Sequence, residues 1–240
     1  MTLIEILIAM TLGAFLLSGV IQIYLSSKQS NRMQENMSRM QENGRFAMEF
    51  IARDIRGADH KECFSDGSTG GEIFGSNDLG LNNSDRITVL QKDNACSVAD
   101  AYSVISFFIQ NANGQPSLHK VTSGATSVAT ATTAINAAVT GATANDALIE
   151  GIEDMQIEYG EDTDAVADGT PNYYVNAASI IDMDRVVSVR ISLLVRSIDN
   201  NLTSAPIAYV YNGISTTPAT GDRRLRRVFT STIVLRNRLP

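Results

Sequence analysis

Residues 1–27 read MTLIEILIAMTLGAFLLSGVIQIYLSS, and Glu5 is the only charged side chain before Lys28. A helix of about 20 mainly apolar residues crosses a bilayer, so this run is long enough to do so. Its Thr and Ser residues and Gly13 and Gly19 do not argue against that reading, because small residues are common in membrane helices. A secretory signal peptide would begin with a positively charged region, whereas no Lys or Arg precedes the apolar run here. The expectation is that Met1 is the first residue left after processing.

Glu5 then needs an explanation. A carboxylate inside an apolar helix costs roughly 2.5–3.5 kcal/mol on insertion scales unless it is paired. No side chain in the first 27 residues neutralises it. The remaining cation is the α-amino group of residue 1, either its own, one helical turn away, or that of a neighbouring copy packed alongside with an axial stagger. The plain alternative is a stray acid near a membrane interface.

After Lys28 the pattern becomes amphipathic without a break, since no proline occurs before Pro116. Met33, Met37, Met40, Gly44, Ala47 and Ile51 recur at spacings of three and four, one helical face that Phe46, Phe50 and Ile55 broaden. Arg32, Glu35, Arg39, Glu42, Arg45, Glu49 and Arg53 alternate in sign on the rest of the surface. The pattern predicts a helix over 2–57, about 80 Å long at 1.5 Å per residue, with Gly57 as its stop. The methionine stripe reads as packing on the chain's own sheet, with a promiscuous partner groove as the alternative.

Composition narrows the function. The 240 residues include two Cys, two His and no Trp, with 44% hydrophobic residues and a net charge of -7. That is too apolar for a disordered chain and ample for one domain with an appendage. An acidic balance argues against nucleic acid as a partner. So few His and Cys leave little material for a zinc site or a Cys–His nucleophile. There is no G-x-S-x-G, no H-E-x-x-H and no phosphate-binding loop, so no enzyme, metal or cofactor is expected. His60 and His119 read as isolated and solvated. Glu161, Asp162, Asp164 and Asp168, followed by Gly169, invite a calcium reading, but they lack the turn glycine and distal glutamate of an EF-hand.

The decamer MTLIEILIAM resembles the N-terminus of a mature type IV pilin or pseudopilin, with Met standing where Phe is usual. The resemblance implies that a prepilin peptidase cuts before Met1, that Met1 is N-methylated, and that Glu5 pairs with the N-terminal amine of an adjacent subunit in a helical filament. It implies an α+β type IV pilin fold: a long N-terminal helix, with residues 1–27 its membrane and filament-core half and 28–57 its amphipathic half, packed on a mostly antiparallel β-rich head over 58–240. In such an exported head, Cys63 and Cys96 would form a disulfide closing a loop of roughly 30 residues, worth ~3–4 kcal/mol in the chain-entropy model; two free thiols are the alternative.

Strand signals in the head are RITVLQ (86–91), SVISFFIQ (103–110), IEDMQIEYG (152–160), VVSVRISLLVRS (186–197), IAYVY (207–211) and RVFTSTIVLRNR (227–238). Short Gly/Asn-rich links predict antiparallel pairing. The Ala/Thr-biased stretch 123–147 reads as a surface insertion with a short helix, a glycosylated segment being the alternative. Between Asp146 and Asp184 lie eleven acids and no Lys or Arg; between Arg185 and Arg238 lie nine Arg and two acids. Pairing within one sheet accounts for this asymmetry. The sharper reading makes Arg223, Arg224, Arg226 and Arg227 contacts to an acidic edge of another subunit; contact with DNA phosphates is a weaker reading of the same cluster.

GRFAMEFIARDIRGA (44–58), GIEDMQIEYG (151–160), RVVSVRISLLVRS (185–197) and RRVFTSTIVLRNR (226–238) are similar to PilW-type minor pilins. That similarity implies a low-abundance pilus subunit near the tip that primes assembly. Its partners would be other minor pilins, the major pilin and, as a further candidate, a tip adhesin. It would stand in the inner membrane with its head in the periplasm before assembly and in the extracellular pilus afterwards. A GspJ-type pseudopilin of type II secretion is the nearest alternative, and a signal-anchored binding protein is the third.

Overall fold

A computed structural model of the chain describes residues 2–58, 73–78, 81–92, 102–125 and 128–238. Helix α1 spans Leu3–Arg56, 54 residues, and ends where the Gly57 amide donates to the Arg53 carbonyl at 3.2 Å. From Leu3 to Leu25 its large apolar side chains lie open. Further along, one stripe seats on the head: Asn36, Met40, Gly44, Ala47, Ile51 and Ile55 are buried.

Met40, Gly44, Ala47, Ile51 and Ile55 bear out the predicted face, which departs from expectation at its start and margin. Met37 is 41% exposed and Phe46 is open, while Asn36 takes the inward position. The cause is polar: Asn36 donates to the Asp199 carboxylate at 3.1 Å and accepts from the Asp199 amide at 3.3 Å, matching a head loop that a methionine would leave unbonded. Gly44 permits the tightest approach, because the Phe229 ring lies 2.5 Å from where its Cβ would stand. Asp54, buried near the end of α1, holds Lys120 of the sheet at 2.6 Å.

Among the described residues the head has two antiparallel sheets and a hairpin, so the α+β architecture expected from the sequence is the one the structure shows. Strands β1 (Ile73–Ser76), β2 (Arg86–Lys92), β3 (Tyr102–Ala112), β4 (Gln115–Ala125) and β5 (Ala147–Glu150) form a five-stranded meander. Strands β6 (Ile152–Glu161), β7 (Tyr173–Val175), β8 (Val186–Arg196) and β11 (Arg226–Val234) form a second sheet in the order β11-β8-β6-β7. Strands β9 (Tyr209–Tyr211) and β10 (Ile214–Thr216) make the hairpin. The main core joins α1 to both sheets through Ile51, Ile55, Phe107, Leu118, Met155 and Ile191. The sheets are spliced by the turn before β2: the Asp85 amide donates to the Met155 carbonyl, and its carboxylate accepts from the Ile157 amide, both at 2.8 Å.

Three expectations need correction. Strand β4 was not marked by the sequence signals, although Asn113 and Gly114 (φ 51° and 78°) form the tight turn that feeds it. The stretch 123–147 is more than a surface insertion: helix α2 (Val128–Thr140) buries Ala131 and Ile135 on Leu90, Val104, Phe108 and Val121, a second core on the meander's other face. The meander carries apolar residues on both faces, so it needs a cover on each.

The third correction is His119, which is fully buried and stacked on Phe108 at 5.5 Å. Alternation along β4 points Leu118 and Lys120 towards α1 and His119 with Val121 towards α2. Neither ring nitrogen has a well-formed hydrogen-bond partner. Burial pushes its imidazole below the ordinary value, with Asp146 and the Gln110 backbone pulling the other way. On acidification the unfolded chain therefore takes up this proton before the native one does. Its stabilising share is complete above an unfolded pKa of about 6.5 and is lost below it, at no more than about 1.4 kcal/mol per pH unit. His119→Leu is expected to remove that part of the slope between pH 7 and pH 5, read from urea midpoints. An unchanged slope would mean that the ring is reached by water.

Candidate assembly surfaces

The first surface is the open half of α1. Its most apolar 18-residue window has a mean hydropathy of 2.2, and none of it is buried, so the helix is long and apolar enough to cross a membrane. The hydroxyls of Thr11 and Ser18 are bonded back to the carbonyls of Ile8 and Phe15, which leaves neither wanting water. Among the described residues no other part of the chain lies within 4 Å of where a Cβ on Gly13 or Gly19 would stand, and such small residues let another helix come close. Glu5 lies on this open surface and accepts a long 3.4 Å bond from the Thr2 amide. Among the described residues no Lys or Arg forms an ion pair with it. Met1, Cys63, Cys96 and His60 lie outside the described residues.

The second surface is the arginine cluster, and its members part company. Arg226 is turned inward with a side chain 5% exposed. It donates to both Glu153 oxygens, at 2.6 and 2.9 Å, and to Asp222 at 2.5 Å. Burial alone would lower its pKa, but these bonds outweigh burial and hold the guanidinium above its ordinary value. Arg224 pairs with Asp222 at 3.3 Å. The Arg223 amide is bonded to the Asn200 side chain. Arg227 is exposed at the end of the β11 face that Phe229 turns to α1, with its guanidinium 5.5 Å from the centroid of the Phe229 ring.

Register explains the inward pair. Arg226 lies directly across from Arg196 of β8, a like-charged pair that would repel. Strand β6 shifts register between Ile152 and Asp154, so Glu153 sits at a bulge and meets both guanidiniums, at 3.5 Å from Arg196. Arg190 and Glu158 pair across the same strands at 3.2 Å. The in-sheet pairing weighed from the sequence is thus present at Arg190, Arg196 and Arg226. Glu153 as its hub was missed, because a bulge has no fixed sequence signature.

The acid-rich loop after β6 gathers Asp162, Asp164 and Asp168, whose nearest oxygens lie within 4.8 Å of one another. Those oxygens already have work. Asp162 accepts from the amides of Asp164, Asp168 and Gly169, the last at 2.8 Å, which holds its carboxyl below the ordinary range. Asp164 accepts from Asn172, and Asp168 from the Thr170 amide. Glu161 faces away from the group and is fully buried, bonded to the amides of Ile181 and Asp182 and the Tyr173 hydroxyl. The cluster folds its own loop.

No curated protein matches the sequence. The solved structure of the type IV-like pilin TTHA1219 from Thermus thermophilus is similar to the chain with a TM-score of 0.47 and 13% identity, over 84% of this chain and 98% of that one. The family match is separate from the N-terminal decamer, since it begins inside β3. Residues 106–237, just over half of the chain, match the model of PilW, type IV pilus-assembly protein W, and the chain belongs to that family.

Proposed function

We propose that the chain is a minor pilin, a structural subunit that primes assembly of a type IV pilus and sits at or near its tip. What supports this is the division of α1: one continuous helix whose second half is seated in the head and whose first half presents mainly apolar side chains, with Glu5 as its one charge. An apolar half of that length is suited first to the inner membrane, with the head in the periplasm, and then to a bundle of like helices in the extracellular filament. In this reading prepilin peptidase exposes Met1, which is then N-methylated. Glu5 takes the N-terminal amine of the next subunit as its counter-ion. Cys63 and Cys96 close a disulfide, and the partners are other minor pilins, the major pilin and a tip adhesin. Nothing in it requires catalysis, a cofactor or nucleic acid.

Mass spectrometry on filaments sheared from cells and purified tests the proposal. The expected result is this chain in the filament fraction, in low copy, beginning at N-methylated Met1. Recovery solely from the cell envelope would instead favour a GspJ-like pseudopilin of type II secretion.

A further inference from the structure

A groove runs beside β6 that none of the assembly surfaces uses. It comprises two cavities of about 490 and 450 Å³ that meet at Asp78, Gln156 and Asn212, residues that line both. Tyr209 lines one end and Tyr174 the other. Each ring is backed by an arginine that a β6 carboxylate holds in place. Arg226, bound to Glu153, has its guanidinium carbon 5.1 Å from the Tyr209 centroid. Arg190, bound to Glu158, is 3.7 Å from the Tyr174 centroid. Glu153 and Glu158 are five residues apart on one strand, so the two platforms are separated by about 17 Å at the usual strand rise.

Between the platforms the lining is made of side-chain amides and carboxyls. Asn77, Asn82, Asn83, Asn176 and Asn212 join Gln156; the Asn77 and Asn176 oxygens accept from the Ala177 and Ser179 amides, and the Asn82 and Gln156 nitrogens donate to the Glu153 and Asn83 carbonyls, so these four offer a ligand the opposite end of the amide. No Lys or Arg is among the described lining residues, and Leu194, Ile157, Val175 and Ile214 are its few aliphatic ones. The carboxylates are largely occupied. Glu153 and Glu158 hold arginines, Asp85 accepts the Ile157 and Asp78 amides, and Asp154 accepts from Ser84 and Gln156. The two glutamates are thus balanced by their arginines, while Asp78, Asp85 and Asp154, which have no cationic partner among the described residues, leave the floor with some negative charge.

We propose that this groove binds an extended, uncharged oligosaccharide. Rigid tyrosine faces suit the C–H faces of sugar rings, as they suit other flat ligands. The amide donors and acceptors not used within the protein suit hydroxyls, whose every oxygen both donates and accepts. An acidic glycan or a phosphate finds no cation among the described lining residues, and a lipid chain finds too little apolar surface there. A cationic peptide is the competing class, because Asp78, Asp85 and Asp154 are unpaired with any cation among the described residues, and competition with tetra-arginine decides between the two. Two platforms a few sugar units apart favour a straight chain lying along β6. The inference stands on the groove alone and holds whether the chain works in a pilus or in a secretion pseudopilus.

The test uses the full chain in a sugar-free detergent, first on a glycan array and then titrated with cellotetraose and chitotetraose. Seven tyrosines and no tryptophan make tyrosine fluorescence a direct reporter. Neutral oligosaccharides are expected to bind with Kd on the order of 0.1–1 mM, the weak range of solvated polar contacts. Tyr209→Ala is expected to weaken binding at least about tenfold, while Tyr209→Phe keeps it. Gln156→Ala gives the same loss and serves if Tyr209→Ala lowers the melting temperature. The proposal is overturned if no neutral glycan binds, if only sialylated or sulfated glycans bind, if tetra-arginine displaces the sugar, or if both alanine variants bind as the parent does.

Discussion

Glu153→Ala is expected to cost the head about 3 kcal/mol, read as a lower urea midpoint with tyrosine fluorescence as the signal. The estimate follows from what the substitution leaves behind. Glu153 is the shared counter-ion of Arg226 and Arg196, which face each other across β11 and β8. Among the described residues Arg226 then keeps one ion pair, to Asp222, which Arg224 also uses, and Arg196 keeps a bond to Gln115. Burial lowers the pKa of Arg196 even with Glu153 present, so its charge is held in the sheet at a cost. An uncompensated buried charge is among the short list of causes of large single-site losses. Arg227→Ala, on an exposed guanidinium of the same strand, is expected to change stability by less than about 0.5 kcal/mol. Equal effects at the two sites would refute this division between buried and exposed arginines. The contrast also separates folding from assembly: an intersubunit role for the cluster is testable at Arg227, where charge reversal leaves the head intact, and not at Arg226.

The sequence was most legible where one physical term dominates. The run from Leu3 to Leu25 with a lone Glu5 leaves a helix as the only way to satisfy its backbone in an apolar medium. Val187, Val189, Ile191, Leu193 and Val195 alternate cleanly on β8, and all five are buried. Legibility failed where a partner distant in sequence chose between near-equal options. Asn36 faces inward because of Asp199, and nothing within one helical turn announces that. His119 looks solvated because Ser117, His119 and Lys120 make β4 look polar; only the cover from α2, itself disguised as Ala/Thr filler, buries it. The Asn-Gly pairs at 113–114 and 212–213 were readable as tight hairpin turns and would have located β4 and the β9–β10 hairpin. The groove beside β6 was out of reach altogether, since its lining comes from the turn before β2, from β6 and from two later hairpin and loop segments.

Glu5→Ala is expected to leave membrane insertion intact and to reduce recovery in sheared filaments about a hundredfold or more. A methyl group in place of the carboxylate makes solitary insertion easier, so the envelope pool rises if it changes at all. In the proposed filament the gain is reversed, because the neighbour's N-terminal amine then lies among apolar helices without a counter-ion. The desolvation cost of an unpaired group of this kind, roughly 2.5–3.5 kcal/mol, corresponds to about two decades in occupancy. Thr2 alone holds Glu5 among the described residues, through a bond of 3.4 Å, so the carboxylate is free to turn to a better partner. Glu5→Gln separates the two contributions: it keeps the hydrogen bond and loses the charge, and is expected to behave as Glu5→Ala does if charge is what sets the register. Normal incorporation of Glu5→Ala would refute the pairing, and would leave the open stripe of α1 as a membrane anchor whose acid has no assembly role.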